Sequence, residues 1–351
     1  MKINFYFLML ISFCSFAQEK SDFKIEFTGF LEAYYAYDIN QPQSEGKLPF
    51  MYNYNRHNEF NLNIGLLRSR LEYENAYASF ALHSGTYVDD NYANEKLKYI
   101  SEAYVGLHLD QSKKNSIEVG ILPSYIGFES ATTSSNLTLT RSVLAENSPY
   151  FMTGIKYNYT PSDQWNFSVL ITNGWQRINK PDKNIPPSFG SQVVYKSNPN
   201  STFNWSTFVG KEFNGFDFTM RYFSNVYFDK KWSEKWRTIV GFDYGVQDTS
   251  SQNDVHESWF SPVLIVQRSL TTKWQSAVRM EYYNDEQNII VTAEDEFKLL
   301  GLTLNVDYLI SPKVKFRTEA RYFETTKNIF FHSNELVSNN FFVTSSLSFE
   351  F

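Results

Sequence analysis

The last eleven residues of the chain alternate between apolar and polar side chains. Odd positions from 341 to 351 are mainly apolar, and even positions from 342 to 350 are mostly polar. A period of two predicts a β-strand, and a tilted strand of roughly 9–11 residues can cross a bilayer. A free apolar edge would promote aggregation of a soluble domain, whereas a barrel has no free edge. The segment therefore indicates the closing strand of a membrane β-barrel, with a soluble edge strand as the alternative.

Similar segments recur along the whole chain, joined alternately by long and short connections. Short turns such as Glu74-Asn75 and Ser311-Pro312 fall at one end, and the longest connection, residues 123–149, falls at the other. This plan predicts an all-β fold, a transmembrane antiparallel up-and-down β-barrel of about 16 strands with both termini at the turn end. The predicted strands are 23–37, 58–73, 76–88, 97–109, 116–122, 150–160, 164–174, 188–196, 203–211, 216–228, 235–246, 257–269, 273–283, 297–310, 313–324 and 341–351.

The tryptophans support the same plan. A membrane barrel carries aromatic girdles at both interfaces, whereas a soluble β-sandwich or propeller gives aromatic residues no reason to collect at strand ends. Trp175 and Trp259 fall at the loop ends of their segments. Four others stand where predicted strands leave short turns: Trp165, Trp205, Trp236 and Trp274.

Composition excludes helical membrane spans. Mean hydropathy is −0.40, yet aromatic residues reach 18%, and no stretch after residue 17 approaches 18 apolar residues. A barrel combines these properties because only alternate residues of each strand face lipid. The net charge of −6 offers no basic face for a nucleic acid.

The first residues predict export. Lys2 precedes an apolar run through Phe16, and Ser15 and Ala17 occupy the positions that a signal peptidase inspects. We expect cleavage after Ala17, so that residues 1–17 are a signal peptide and residues 18–351 form the barrel. Cys14 leaves a lipoprotein as the alternative, although Phe13 stands where a lipobox needs a small residue. The expected location is the outer membrane, with both termini periplasmic and no cysteine in the mature chain.

Strand parity predicts which charges face the lumen. In 313–324 the charged residues other than Glu324 take odd positions, and charge on the lipid face costs ~2–4 kcal/mol for Arg or Lys at the midplane. Segment 58–73 changes phase, which predicts a bulge near Leu66. The predicted pore-lining residues are Glu26, Glu32, Arg68, Arg70, Glu102, Lys156, Arg221, Arg279, Glu281, Lys315, Arg317, Glu319 and Arg321.

A polar interior with both signs of charge predicts a wet interior. A barrel of ~16 strands is too wide for side chains to fill, so an aqueous channel is its default state, and the connection 123–149 is the best candidate for restricting it. We expect the wall around Lys315 and Arg317 to be locally basic, with Glu26, Glu32 and Glu102 on the facing wall. Weak ion selectivity follows from that arrangement.

Chemical alternatives rest on few residues. His83 and His108 could share a metal only with a third ligand that the sequence does not place, and Asp89-Asp90 could bind calcium but are ordinary loop carboxylates. An outer-membrane lipid hydrolase would need Ser and His together on the lipid-facing surface, and every His falls in a loop or inward by parity. We expect no enzyme activity and no cofactor. A surface-binding or adhesive barrel with a blocked lumen remains an alternative.

Several motifs resemble those of the β-barrel porin-2, OmpL-like, family. Ile121 and Leu122 depart from its usual basic residue. The resemblance covers most of the mature chain and implies passive transport of small solutes. Expected partners are small solutes, outer-membrane lipids and lipopolysaccharide, and the barrel assembly machinery, with a homo-oligomer left open. The motifs are residues 118–129, Arg141-Ser142, Ser148-Pro149-Tyr150, Thr153-Gly154-Ile155 and Asn173-Gly174-Trp175, with residues 27–30 and 32–35 near the start.

Overall fold

Sixteen antiparallel strands close into one barrel. The computed structural model describes residues 23–42, 48–249, 255–293, 295–332 and 335–351, so the expected signal peptide and Cys14 lie outside the described residues. Successive strands pair with their neighbours, and the last strand closes the ring by pairing with both the strand before it in the barrel and the first strand. The strands are β1 Lys24–Asp38, β2 Glu59–Tyr73, β3 Ala76–Ser84, β4 Ile100–His108, β5 Asn115–Pro123, β6 Phe151–Ser162, β7 Trp165–Thr172, β8 Ser188–Asn198, β9 Ser201–Phe213, β10 Phe218–Lys231, β11 Trp236–Asp248, β12 His256–Ser269, β13 Trp274–Asp285, β14 Phe297–Ser311, β15 Val314–Thr325 and β18 Asn339–Glu350.

The remaining elements belong to the long connections. Helices α1 (Thr86–Asn91) and α2 (Val143–Glu146) and the 3₁₀ turn Thr133–Ser135 are short, and β16 (Phe330–His332) pairs with β17 (Glu335–Val337) in a separate hairpin. None of the described helices is long and apolar enough to cross a membrane. Most long connections lie at one end of the barrel, the loop end, while the short turns and both termini of the barrel lie at the other, the turn end.

The chain terminus completes the closure. Main-chain atoms of Gly29 and Phe351 exchange two hydrogen bonds, with N···O distances of 2.9 and 3.0 Å. The Phe351 ring covers Gly29 so closely that a Cβ at position 29 would collide with it, and Phe349 stacks beside the ring at 5.7 Å between centroids. The last residue is therefore an integral part of the pairing between β1 and β18.

Strand faces follow the predicted parity in the second half of the chain. Val278 and Phe316 point outward and are 48% and 42% exposed, whereas the neighbouring Arg279 and Arg317 point inward and are fully buried. The alternation places a charged and polar set inside and an apolar set outside, as a barrel in lipid requires.

Two local expectations are wrong. The phase change in β2 occurs at Asn63 and not near Leu66, because the pairing with β1 shifts there and the Asn63 amide oxygen accepts a hydrogen bond from Tyr54 N at 3.0 Å. Ile64 and Leu66 consequently point inward. The predicted strand 76–88 ends at Ser84, because Gly85 adopts φ +126° against the Asn63 carbonyl and α1 begins directly afterwards.

The tryptophans divide as their strand positions indicated, with one difference. The four at the turn end are 38–47% exposed on the outer surface. Trp175 and Trp259 lie at the loop end, but they point into the lumen, where Phe223 packs between them at 4.8 and 6.1 Å between ring centroids. They therefore form part of an interior cluster and not of a second girdle.

Replacing Phe351 with Ala should lower the yield of inserted, heat-modifiable barrel several-fold. The substitution removes the ring that covers Gly29, a loss of roughly 1–2 kcal/mol for a half-buried Phe, at the strand pair that closes the barrel. Phe331→Ala is the matched control, because Phe331 is exposed in the separate hairpin. Equal yields from the two variants would show that the terminal ring does not assist closure.

Candidate functional site

The connection between β5 and β6, residues 124–150, crosses the interior of the barrel; we call it the lumen loop. Its first part lies against the wall formed by β8 to β10. The Tyr125 hydroxyl donates to the Thr207 carbonyl at 2.6 Å, and the Tyr125 carbonyl accepts from Gln192 and Ser206. Gly127 N donates to the Asn225 side chain at 3.2 Å. These contacts fix the start of the lumen loop.

The second part of the lumen loop lies against β13 to β15, where arginines donate to its carbonyl oxygens. Arg279 donates to the Thr140 carbonyl at 2.6 Å. Arg321 donates to the Arg141 carbonyl at 2.9 Å. Arg317 donates to the carbonyls of residues 133 and 136 at 3.0 and 3.1 Å. The barrel wall thus supplies donors to peptide groups that are removed from water.

Carboxylates on the same wall accept hydrogen bonds from the N–H groups of the lumen loop. Glu281 accepts from Val143 N at 2.7 Å, and Glu319 accepts from Thr140 N at 3.1 Å and from the Thr140 hydroxyl. Farther along, Asn305 accepts from the main chain of residue 139. Donors and acceptors of the wall therefore match those of the loop.

The arginines and carboxylates also pair with one another. Arg321 lies 2.6 Å from Glu281, and Arg317 lies 2.8 Å from Asp307. Arg279 contacts Glu281, Glu319 and Glu129 at 3.2, 3.7 and 3.6 Å. All these side chains are at most 2% exposed. We call the wall residues of this network the latch: Arg279, Glu281, Asp307, Arg317, Glu319 and Arg321.

The expected water-facing basic wall is therefore wrong. The parity of β15 is as predicted, but the lumen loop covers its arginines and carboxylates neutralise them. Lys315 is also engaged, because its ammonium donates to the Ser134 carbonyl at 2.9 Å. Glu32 lies on this same side of the barrel, since β1 pairs with β18 and β18 with β15. It does not lie on the facing wall.

Glu32 holds two connections together. Its carboxylate accepts hydrogen bonds from the Tyr54 hydroxyl at 2.6 Å, from Thr133 at 2.9 Å and from Ser346 at 3.0 Å. Tyr54 belongs to the connection 39–58, and Thr133 to the lumen loop. Glu32 thus joins both connections to the barrel wall.

Inside the lumen loop, Glu129 and Arg141 are buried charges. Burial raises the pKa of the Glu129 carboxyl above its ordinary value, and Arg279 and Ser142 oppose that rise. Arg141 pairs with Glu146 at 3.2 Å and stacks over the Tyr150 ring at 3.8 Å. Sequence reasoning assigned no role to these residues. The partner of Glu129 is Arg279 on a distant strand, and the contacts of Arg141 depend on the conformation of a loop that has no periodic pattern.

Arg221 lies inside as predicted, near the loop end. Its guanidinium donates to the Gln247 side chain at 2.9 and 2.6 Å and lies 5.2 Å from the Trp175 ring and 5.6 Å from the Trp259 ring.

The wall from β2 to β6 carries predicted residues that the lumen loop does not cover. Arg68 pairs with Glu102, whose other oxygen accepts from Ser79 at 3.0 Å. Lys156 and Glu118 face each other at 3.6 Å. These side chains are partly exposed to the interior, apart from the buried Glu102.

Two cavities meet this wall at β2. One, of about 330 Å³, separates the lumen loop from β2 to β4. The other, of about 340 Å³, lies at the turn end and is lined by β2, β1, the end of β18 and the turn between β14 and β15. Arg68 lines both of them. The first cavity is also lined by Glu102, Glu129, Tyr87, Tyr92, Phe128, Tyr150 and Tyr227, and the second by Glu26, Arg70, Lys313, Glu350 and Phe351.

An apolar cluster covers part of the loop end. Phe50, from the connection 39–58, packs against Phe297, Phe323 and Phe330 at 4.9, 5.7 and 6.3 Å between ring centroids. Glu146 accepts a hydrogen bond from the main chain of Tyr52 at 2.8 Å, which ties this connection to the lumen loop.

The histidines and acidic pairs considered as ligands are engaged elsewhere. His83 contacts the Lys98 carbonyl at 2.8 Å, while His108 lies at the other end of β4 beside Tyr77. Asp90 pairs with Arg56 at 2.7 Å, and Asp89 with Lys98 at 2.8 Å. Within the five described ranges, no three His, Cys, Asp or Glu side chains cluster as a metal site would require.

One histidine departs from its expected place in a loop. His256 begins β12, is about half exposed and contacts Asp248 at 2.8 Å. A hydrolase of the Ser-His-Asp type would need a serine hydroxyl on the other ring nitrogen. Among the hydrogen bonds of the residues described, none joins His256 to a serine.

The fold has solved counterparts. The outer membrane channel DcaP of Acinetobacter baumannii is 11% identical, with a TM-score of 0.63 over 95% of this chain and 99% of that chain. An anion-selective porin from Comamonas acidovorans is 10% identical, with a TM-score of 0.62 over 94% and 100%. The trimer form of OmpT of Vibrio cholerae is 10% identical, with a TM-score of 0.60 over 94% and 99%. At these identities the likeness shows the fold alone.

Sequence comparison gives the family. No curated protein is similar enough in sequence to count as a match. The family model described as "Putative beta-barrel porin-2, OmpL-like" matches residues 24–351, which include every strand of the barrel. The chain therefore belongs to the β-barrel porin-2, OmpL-like family.

Proposed function

We propose that this porin-family chain is a loop-restricted diffusion channel for small hydrophilic solutes, and that solutes pass along the wall of β2 to β6. The lumen loop occupies the side of β8 to β15, where the latch holds it. The wall from β2 to β6 keeps polar side chains of both signs that the loop leaves uncovered. We propose transport and no enzyme reaction, since the family and the similar structures are porins and channels.

One observation carries the proposal: Arg68 lines both cavities. A solute that enters the turn-end cavity meets the same guanidinium that borders the cavity beside the lumen loop. Arg68 is therefore the proposed narrow point of the path, with Glu102 holding the guanidinium in place.

The charges along this path predict weak ion selectivity. The cations that line the two cavities are Arg68, Arg70 and Lys313. The carboxylates that line the same two cavities are Glu26, Glu102, Glu129 and Glu350. Three positive and four negative groups nearly balance, so their summed field favours neither sign strongly.

The membrane setting follows the same proposal. We place the barrel in the outer membrane with the turn end and both termini periplasmic, after removal of residues 1–17. Charge on the outer surface would be costly in lipid, which agrees with the apolar outward positions of β13 and β15. Association into a homo-oligomer is part of this proposal, supported by the trimer form of one similar structure.

A second candidate is a surface-binding barrel with a closed lumen. The apolar cluster around Phe50 supports it, because apolar side chains at the loop end would obstruct hydrated solutes. Planar-bilayer recordings separate the two: steady channels from purified protein support diffusion, and their absence from well-folded protein supports the closed barrel.

Changing Glu281 to Gln should raise single-channel conductance and its fluctuations. Glu281 contacts Arg279, Arg321 and Val143 N, so the neutral amide leaves two buried guanidiniums with less compensation. Loss of one partner of a buried ion pair costs about 3–5 kcal/mol, enough to loosen the lumen loop. Planar-bilayer recordings of single-channel conductance would measure the widening of the passage beside the lumen loop.

Glu257→Gln is the control for that experiment. Glu257 lies at the loop end of β12 and borders a separate cavity that the lumen loop does not line. Unchanged conductance in a correctly folded Glu281→Gln barrel would mean that the latch does not limit the passage.

Changing Arg68 to Gln should shift the reversal potential toward cation selectivity. The variant removes one of three cations from the path, and fixed charges act over a screening length of ~10 Å at 0.1 M salt. The shift should therefore be clear at low salt and fade at high salt. Reversal potentials across a salt gradient measure it directly.

Lys298→Gln removes the same charge at the loop end, where Lys298 pairs with Glu286 and Glu296. This control should leave the reversal potential close to that of the wild type. If Arg68→Gln behaves like Lys298→Gln at low salt, ions do not pass beside Arg68.

A further inference from the structure

Three cations project from the outer surface of the barrel near the turn end. Lys230 ends β10 on its outward face, Arg268 ends β12 on the same face, and Lys273 lies in the turn before β13. Their strands are neighbours in the closed sheet. The cations therefore occupy one continuous arc of the surface, from β10 to β14.

Each cation lies over an aromatic ring. Arg268 is 5.1 Å from the Trp236 ring, with which it is paired across the strands. Lys230 lies 5.8 Å from the Trp232 ring. Lys273 lies 6.0 Å from the Tyr308 ring, and the tilted Trp274 ring packs against Tyr308 at 4.7 Å between centroids. We call this surface the basic-aromatic arc: Lys230, Trp232, Trp236, Arg268, Lys273, Trp274 and Tyr308.

The arc has no compensating carboxylate. In the turn-end half of β10 to β14, every outward position is apolar, aromatic, hydroxylic or cationic. Glu234, in the turn after β10, is already paired with Lys231 at 2.7 Å. Within the described chain, none of the three cations of the arc forms an ion pair. The arc therefore presents three uncompensated positive charges.

The three cations lie near the membrane interface and not at the bilayer midplane. Outward Arg or Lys costs ~2–4 kcal/mol at the bilayer midplane but about 0–1 kcal/mol near the interface. The exposed Trp236 and Trp274 beside them are residues that favour the same interface. Lipid headgroups are therefore the groups within reach of Lys230, Arg268 and Lys273.

We propose that the basic-aromatic arc binds the headgroup of an anionic phospholipid. Arg268 can donate two parallel hydrogen bonds to phosphate oxygens, and the two lysines supply point charges on either side. The tryptophan rings contact the upper part of the acyl chains. Lys113 and Lys114, in the turn before β5, are also exposed. Among the described residues, however, no turn-end cation outside the arc lies over an aromatic ring, so the anionic lipid collects at the arc.

Quenching of tryptophan fluorescence tests the proposal in full-length protein folded into vesicles. The vesicles contain phosphatidylcholine and a minor fraction of phosphatidylglycerol, and the bromine label is placed on the acyl chains of one lipid or the other. An arc lysine or arginine is worth ~1 kcal/mol at an anionic surface. Wild-type protein should therefore prefer phosphatidylglycerol at least about fivefold, and the preference should disappear at about 1 M salt.

The triple variant Lys230→Gln, Arg268→Gln and Lys273→Gln should show no preference between the two lipids. The matched control neutralises three exposed turn-end cations outside the arc, Lys113→Gln, Lys114→Gln and Lys196→Gln, and should keep the preference. A triple variant with the wild-type ratio, or a control that loses it equally, overturns the proposal.

Two further measurements keep the test decisive. If the triple variant does not insert, Arg268→Gln alone should lose part of the preference, and an unchanged ratio again overturns the proposal. The proposal is also overturned if the preference of the wild-type protein for phosphatidylglycerol does not change with salt. The readout is independent of conductance and of the direction of insertion, so it stands or falls separately from the channel function.

Discussion

Peptide groups inside a wide barrel need hydrogen-bonding partners, and this requirement organises the interior. A buried N–H or C=O without a partner costs a substantial part of the stability of a domain. The lumen loop runs for 27 residues between β5 and β6. Its backbone is stabilised in the lumen because Arg279, Arg317 and Arg321 donate to its carbonyls, while Glu281 and Glu319 accept from its amides.

The same charges must also compensate one another. An isolated buried arginine would be prohibitively costly, whereas a paired and hydrogen-bonded one is tolerated. The latch meets this condition by placing each arginine beside a carboxylate: on its own strand for Arg279, on the neighbouring strand for Arg317, and two strands away for Arg321. Its residues are therefore interdependent, and the lumen loop is held by strands from β8 to β15 and by Glu32 of β1. The asymmetry leaves the wall of β2 to β6 as the side with partly open polar space.

The amino-acid sequence determined the barrel because a membrane strand has a strict period of two. Apolar outward positions, charged inward positions and short turns repeat in the sequence itself, so the strand number, the closing strand and the direction of Arg279 and Arg317 followed from local patterns. The turn-end tryptophans followed for the same reason. The bulge was misplaced by three residues, at Leu66 instead of Asn63, because its position depends on a hydrogen bond from Tyr54 in a loop.

Only the tertiary structure decided what the inward charges contact. Parity gives the same direction to Arg68 and Arg317, yet Arg68 borders two cavities while Arg317 is buried beneath the lumen loop. The carbonyl partners of Arg317 in the lumen loop lie 181 to 184 residues away in the chain, in a segment with no periodic pattern. Periodicity specifies the face of a strand, because it is a local property of the backbone. It cannot specify which side of the lumen a long loop occupies, because that depends on contacts between distant segments.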